Sequence, residues 1–193
     1  MKLLRDFILP IVVGLTAFVF FHATLGSFKV YGSSMWPTIE HGEYILVNKA
    51  TYFFHEPKRG DIIVFHSPND PSSDLIKRII GMPGDVVEVR DEKVFVNNVP
   101  IVEPYIIDPP RYLYPEEEIP AGQYFVLGDN RNSSSDSHKG WKVPRHNIVG
   151  KAWLTYWPPH EWRLIPHYPI SASPKVATID ESNLNMEVLC PMR

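Results

Sequence analysis

The chain is 193 residues long, enough for one good core and a subsidiary lobe, and its 19 prolines among short Val, Ile, Tyr and Phe runs point to strands and loops rather than helices. Its net charge of -3 leaves no basic surface for sequence-independent nucleic-acid binding. The single cysteine, Cys190, excludes an intramolecular disulfide and a Cys-rich zinc site, and the eight scattered histidines lack hydrolase spacing, so a metal hydrolase has little support.

Residues 7–28 carry no formal charge and are mostly Phe, Ile, Val, Leu, Ala and Gly. At about 1.5 Å per residue they span a hydrocarbon core of about 30 Å. A secretory signal has a shorter apolar region, about 7 to 15 residues, ending in an A-x-A-like site. This run is longer and ends His22-Ala23-Thr24-Leu25-Gly26, so residues 1–28 read as a cytoplasmic N-terminus with an uncleaved anchor. Lys2 and Arg5 flank its start, and the positive-inside rule then puts residues 30–193 on the outer side of the membrane.

Gly32-Ser33-Ser34-Met35-Trp36-Pro37-Thr38 follows, with two serine hydroxyls and no acid or base beside them. Such a stretch is ordinarily a turn. A serine becomes a nucleophile only if the fold brings it a proton acceptor. Glu43 to Lys49 and Ile62 to Phe65 read as strands, the second buried on both faces. In the strand Leu75 to Ile80, alternation sets Lys77 and Arg78 on opposite faces, so one of them points toward apolar neighbours. A strand lysine ordinarily snorkels to solvent. Turned inward, Lys77 is desolvated, its pKa falls, and its neutral amine can act as a general base.

After the turn Gly81 to Asp85, a meander is expected: Val86 to Arg90, a turn at Asp91-Glu92, Lys93 to Val96, a tight Asn97-Asn98 turn, and Val99 to Val102. Glu103 to Pro120 reads as a loop in which Glu116 to Glu118 form a solvated edge. Gln123 to Leu127 is a strand leading into Gly128 to His138, whose short polar side chains form either a flexible loop or, if buried, a network that orients a catalytic group. Val143-Pro144 and Ile148 to Tyr156 close the domain. Trp157 to Trp162 reads either as interfacial or as packed on the domain, and a mobile tail is expected from Ser171.

In this order the segments resemble the type I signal peptidases, membrane-anchored serine proteases with a Ser-Lys dyad. Gly32 to Thr38 is similar to the family's serine box, with Ser34 as nucleophile; Gly60 to Phe65 resembles the next box. Lys77 to Asp85 resembles the lysine box, with Lys77 as general base, and Gly128 to Ser137 the last, with Ser134 as the hydroxyl that orients the lysine. Two departures stand out. Gly32 replaces a serine that in some members helps form the oxyanion hole, and His138 stands where the family often pairs an arginine with the aspartate, here Asp136.

The resemblance implies a mostly β fold: a single N-terminal transmembrane helix, then a β-rich catalytic core over residues 29–159, with a smaller β lobe inserted at about 86–122, and a C-terminal extension over 160–193. It implies removal of signal peptides from exported preproteins by the Ser34–Lys77 pair, with no metal or cofactor needed. Gly32, Ser33 and Met35 are candidates for the oxyanion hole or substrate cleft, with Met35 crowding bulky substrate residues. Met35, Trp36, Phe53 and Phe54 are expected to dip into membrane lipid. A self-cleaving Ser-Lys protease and a binding domain with an idle dyad are the competing readings; the anchor speaks against the first and the intact Ser34 and Lys77 against the second.

Overall fold

The computed structural model describes residues 2–168 and 170. Helix α1 (Lys2–Thr24) has apolar side chains all round, the pattern of a helix that meets lipid or a large core rather than water on one side. Its stretch Asp6–Thr24 has a mean hydropathy of 2.1 and is 0% buried against the rest of the protein, so by length and composition it can cross a membrane. The helix stops short of the apolar run, which was expected to continue to residue 28. Leu25–Lys29 is instead a strand, β1, because Gly26 and Ser27 are weak helix formers and the segment finds a pairing partner.

The rest is almost all antiparallel sheet. In chain order come β2 (Tyr44–Asn48), a one-turn helix α2 (Thr51–Phe54), β3 (Ile62–His66), β4 (Asp74–Gly81), β5 (Val86–Arg90), β6 (Lys93–Val96) and β7 (Val99–Pro100). These are followed by β8 (Tyr114–Glu118), β9 (Gln123–Leu127), β10 (Val143–Pro144), β11 (Ile148–Trp157) and β12 (Arg163–Leu164). The main sheet runs β1-β2-β11-β3-β4-β9-β10, with β12 added to β11; a second sheet runs β7-β6-β5-β8.

Strand β3 shows why its apolar run is unbroken. Ile62 and Val64 face one core cluster with Ile39, Ile45 and Val47, while Ile63 and Phe65 face another with Tyr124 and Val126. The second sheet buries Val87, Val89, Val94 and Val96 against Ile80, Phe125 and Leu127, so it rests on the end of β4 and β9. Its hairpins turn on residues with positive φ, Asp91 and Glu92 at 49° and 58°, Asn97 and Asn98 at 52° and 63°. Both central residues of a type I′ turn need that conformation, which Asn and Asp tolerate best.

Two sequence expectations change. Glu103 to Pro120 is not all loop: Glu116–Glu118 form a solvated edge, with Glu116 and Glu118 exposed, but as part of strand β8 at the edge of the second sheet, paired with β5, and Glu117 accepts hydrogen bonds from Tyr114 and Lys142. Pro115 and three glutamates hide the period-2 pattern, and an edge strand tolerates both. Met35 is not exposed. It is 1% accessible and packs in the core with Ile39 and Ile45, whereas Trp36, Phe53 and Phe54 are exposed. The tail from Ser171, with Cys190, lies outside the described residues.

Candidate active site

Strand β4 carries two adjacent buried cations, Lys77 and Arg78, at 3% and 0% exposure. Alternation requires one to face inward; here both do, because the core lies on one side of β4 and the junction with the second sheet on the other. Arg78 takes the junction side. Its guanidinium donates from Nε and Nη2 to the two oxygens of Asp129 (2.8 and 2.7 Å) and stacks 4.0 Å from the Tyr105 ring centroid. A bidentate pair of this kind satisfies both buried charges with fixed geometry.

Asp129 does more than neutralise Arg78. It also accepts from Thr38 Oγ1 (2.5 Å), and the next residue donates from its backbone N–H to the Ser34 carbonyl (3.0 Å) and from Asn130 Nδ2 to the Ser33 carbonyl (3.1 Å). The serine turn is therefore held at both ends by the segment after β9. Gly128 makes this approach possible: a Cβ there would lie 2.4 Å from the Ser34 carbonyl oxygen and 2.3 Å from Ser134 Oγ.

Held in this way, Ser34 meets Lys77 across the fold. Lys77 Nζ donates to Ser34 Oγ at 2.7 Å and to the Ile76 carbonyl at 2.9 Å. Burial drives the Lys77 pKa down to about 8, against the opposing pull of the Asp136 and Asp129 carboxylates. At that value a useful fraction of the amine is neutral near neutral pH. Asp136 is itself fully buried; it accepts from the Gly128 N–H (2.9 Å) and pairs with His138 Nδ1 (2.6 Å), whose ring stacks on Tyr112.

The remaining expected residues are distributed unevenly. Ser134 Oγ is buried near the Ser34 carbonyl but makes no hydrogen bond among the described residues, so it is not joined to Lys77 in this arrangement. Gly32, at φ 85°, and Ser33 are exposed; the Gly32 N–H donates to His41 Nδ1 and the Ser33 carbonyl accepts from Trp36 N–H. Met35, expected beside the cleft, faces the core behind it. The Ser34 N–H has no acceptor among the described residues, which leaves it available to a bound group.

A cleft of about 120 Å³ opens beside the pair, lined by Val30, Tyr31, Ser34, Ile45, Ile76 and Lys77 among others. One wall is a stretch of strand edge with no pairing strand among the described residues. Ile79 exchanges backbone hydrogen bonds with Gly60 and Asp61, on the β3 side, so by alternation the peptide groups of Arg78, Ile76 and Asp74 face the other way. Arg78 meets Leu127 of β9, but β9 ends there, and those of Ile76 and Asp74 face the cleft. Among the described residues no cluster of His, Cys, Asp or Glu is suited to hold a metal.

Sequence reasoning did not find Arg78, Asp129, Asn130 or Thr38 as parts of the site. Their residue types carried a signal, since an arginine in an apolar strand needs a buried acid, but which acid it meets depends on the pairing of β4 with β9.

The family model for signal peptidase, peptidase S26, matches residues 3–157. The chain is 44% identical over 136 residues to a probable signal peptidase I-1 of Synechocystis sp., covering 67% of this chain and 69% of that protein. It is 46% identical to a signal peptidase I of Leptolyngbya laminosa, covering 65% of each. It is also 39% identical to thylakoidal processing peptidase 1, chloroplastic, of Arabidopsis thaliana, of whose length it spans 46%. With a family match over most of its length and a relative this similar over two thirds of both chains, the chain belongs to the signal peptidase family of S26 peptidases.

Proposed function

We propose that this chain is a membrane-anchored signal peptidase in which Ser34 is the nucleophile and Lys77 the general base. The observation that carries the reading is the 2.7 Å contact between Ser34 Oγ and an almost fully buried Lys77 Nζ. In the neutral-amine state the hydroxyl donates to Nζ across the same distance. As Oγ attacks the scissile carbonyl, its proton passes to Lys77; when the C–N bond breaks, Lys77 returns that proton to the leaving amine. Water, deprotonated by the same amine, then hydrolyses the Ser34 ester. The free Ser34 N–H supplies one oxyanion donor, a contribution worth about 100- to 1000-fold where such a donor has been removed elsewhere.

An extended substrate adds as a strand to the β4 edge, hydrogen-bonding the peptide groups of Asp74 and Ile76. The cleft of about 120 Å³ beside the dyad is walled by Val30, Ile45, Val64 and Ile76, an apolar lining suited to apolar substrate side chains. The substrates are preproteins with signal peptides, cut after small residues such as alanine. Helix α1 spans the bilayer with its N-terminus in the cytoplasm, the sheets from β1 to β12 form the protease domain on the outer side, and exposed Trp36, Phe53 and Phe54 meet lipid.

The test is cleavage of a precursor by Ser34→Ala, Lys77→Ala and Lys77→Arg in full-length protein. All three lose cleavage, the last because a guanidinium stays protonated. Near-normal processing by either alanine variant refutes the dyad.

A further inference from the structure

A second concavity, about 560 Å³, lies where α1 meets β1 and β2; neither Ser34 nor Lys77 lines it, and it shares only Phe28 with the cleft beside them. Its walls are apolar, with Phe18, Phe21, Leu25, Phe28 and Leu46, and its polar lining includes Lys49 and His22 but no acidic residue. Lys49 sits at the end of the helix: its backbone N–H donates to the Thr24 carbonyl at 2.8 Å. It belongs to none of the ion pairs formed by the described residues.

Gly26 makes room for this lysine. Its backbone lies in a strand, at no angle that demands glycine, but a Cβ there would lie 2.7 Å from Lys49 Cε and 2.8 Å from the Phe28 ring. The missing side chain lets the lysine stem lie across β1 with its ammonium at the cavity. An apolar wall continuous with a membrane-spanning helix, topped by a cation with no counter-charge among the described residues, has the chemistry of an anionic amphiphile site.

We propose that this cavity binds an anionic phospholipid, with the headgroup phosphate on Lys49 and an acyl chain along Phe18, Phe21 and Leu46. The assignment rests on the reading that α1 spans the bilayer. Charge complementarity selects the occupant: a zwitterionic lipid has the same chains and phosphate but brings its own cation.

The experiment titrates full-length protein in nonionic micelles with phosphatidylglycerol, with phosphatidylcholine of the same acyl chains, and with inorganic phosphate, reading bound lipid by native mass spectrometry. Phosphatidylglycerol is expected to bind with a discrete stoichiometry, phosphatidylcholine at least about fivefold more weakly, and free phosphate not to compete. Lys49→Gln weakens phosphatidylglycerol binding about fivefold, the effect of one interfacial cation. Gly26→Ala, which displaces the lysine stem, does the same with the charge retained, and a matched melting temperature shows that each variant is folded. Equal binding of the two lipids, or unchanged phosphatidylglycerol binding by Lys49→Gln, overturns the assignment and leaves Lys49 as a charge for the carbonyl end of α1. Competition by free phosphate overturns it in favour of a simple anion site. Retention of the chain in membranes after alkaline extraction is scored separately, so failure of the anchor reading is distinguishable from failure of the lipid site.

Discussion

Burying Lys77 ties activity and stability to one ionisation, and the two respond to pH in a linked way. With its pKa at about 8, about a tenth of the amine is neutral at pH 7 and about a hundredth at pH 6. Log kcat/KM for a peptide substrate should therefore climb with unit slope up to about pH 8 and level off above it. For stability the sign is opposite to that of a salt-bridged lysine. The pKa is lowered from 10.5 in the unfolded chain, so folding carries the full penalty of the buried charge below pH 8, and the penalty fades between pH 8 and 10.5. A fall of this size amounts to about 3 kcal/mol. Lys77→Met removes it but also loses the bonds to Ser34 Oγ and the Ile76 carbonyl, together about 1 to 2 kcal/mol. The inactive variant should thus be about 1 to 2 kcal/mol more stable than the parent at pH 7 and about 1 to 2 kcal/mol less stable above pH 10.5. Denaturant unfolding of the solubilised full-length protein at several pH values measures the difference, alongside the rate profile. A flat kcat/KM between pH 6 and 9, or a stability difference that does not change with pH, would refute the reasoning.

Other outcomes follow from single contacts. Asp129→Ala strands the buried Arg78 guanidinium and frees Thr38, costing about 3 to 5 kcal/mol in unfolding experiments, whereas a loss under about 1 kcal/mol would mean the pair is solvated in solution. Gly128→Ala pushes the new methyl into the Ser34 carbonyl, and displacing the nucleophile by about 1 Å should lower kcat about 100-fold while Lys77 keeps its place. Ser134→Ala removes a buried hydroxyl that has no partner among the described residues, so stability should stay level or improve by about 1 kcal/mol; a marked loss of stability would show a hydrogen bond formed in solution. Serine at both Phe53 and Phe54, which are 79% and 81% exposed, should slow cleavage of bilayer-embedded precursors but not of a soluble peptide, as compared in vesicles and in detergent.

Much of this was legible in the chain because it is local. Hydrophobicity over residues 7–28 marks a helix able to cross a membrane, the continuous Ile62-Ile63-Val64-Phe65 run marks a strand covered on both faces, and Asn97-Asn98 marks a turn with two positive φ angles. Alternation in Leu75 to Ile80 already required a basic residue to be buried. Where the signal was mixed, neighbours decided. Pairing with β2 turned Leu25–Lys29 into a strand, and pairing with β5 made a strand of a proline and three glutamates. Met35 faces the core rather than the cleft because the turn holding Ser34 is fixed by Asp129, 91 positions on from its partner Thr38, and by Asn130, whose N–H donates to the Ser34 carbonyl. The Ser34–Lys77 distance and the depressed Lys77 pKa are likewise tertiary properties: sequence supplies a hydroxyl and an amine 43 positions apart, and only the antiparallel pairing of β4 with β3 and β9 brings them together away from water.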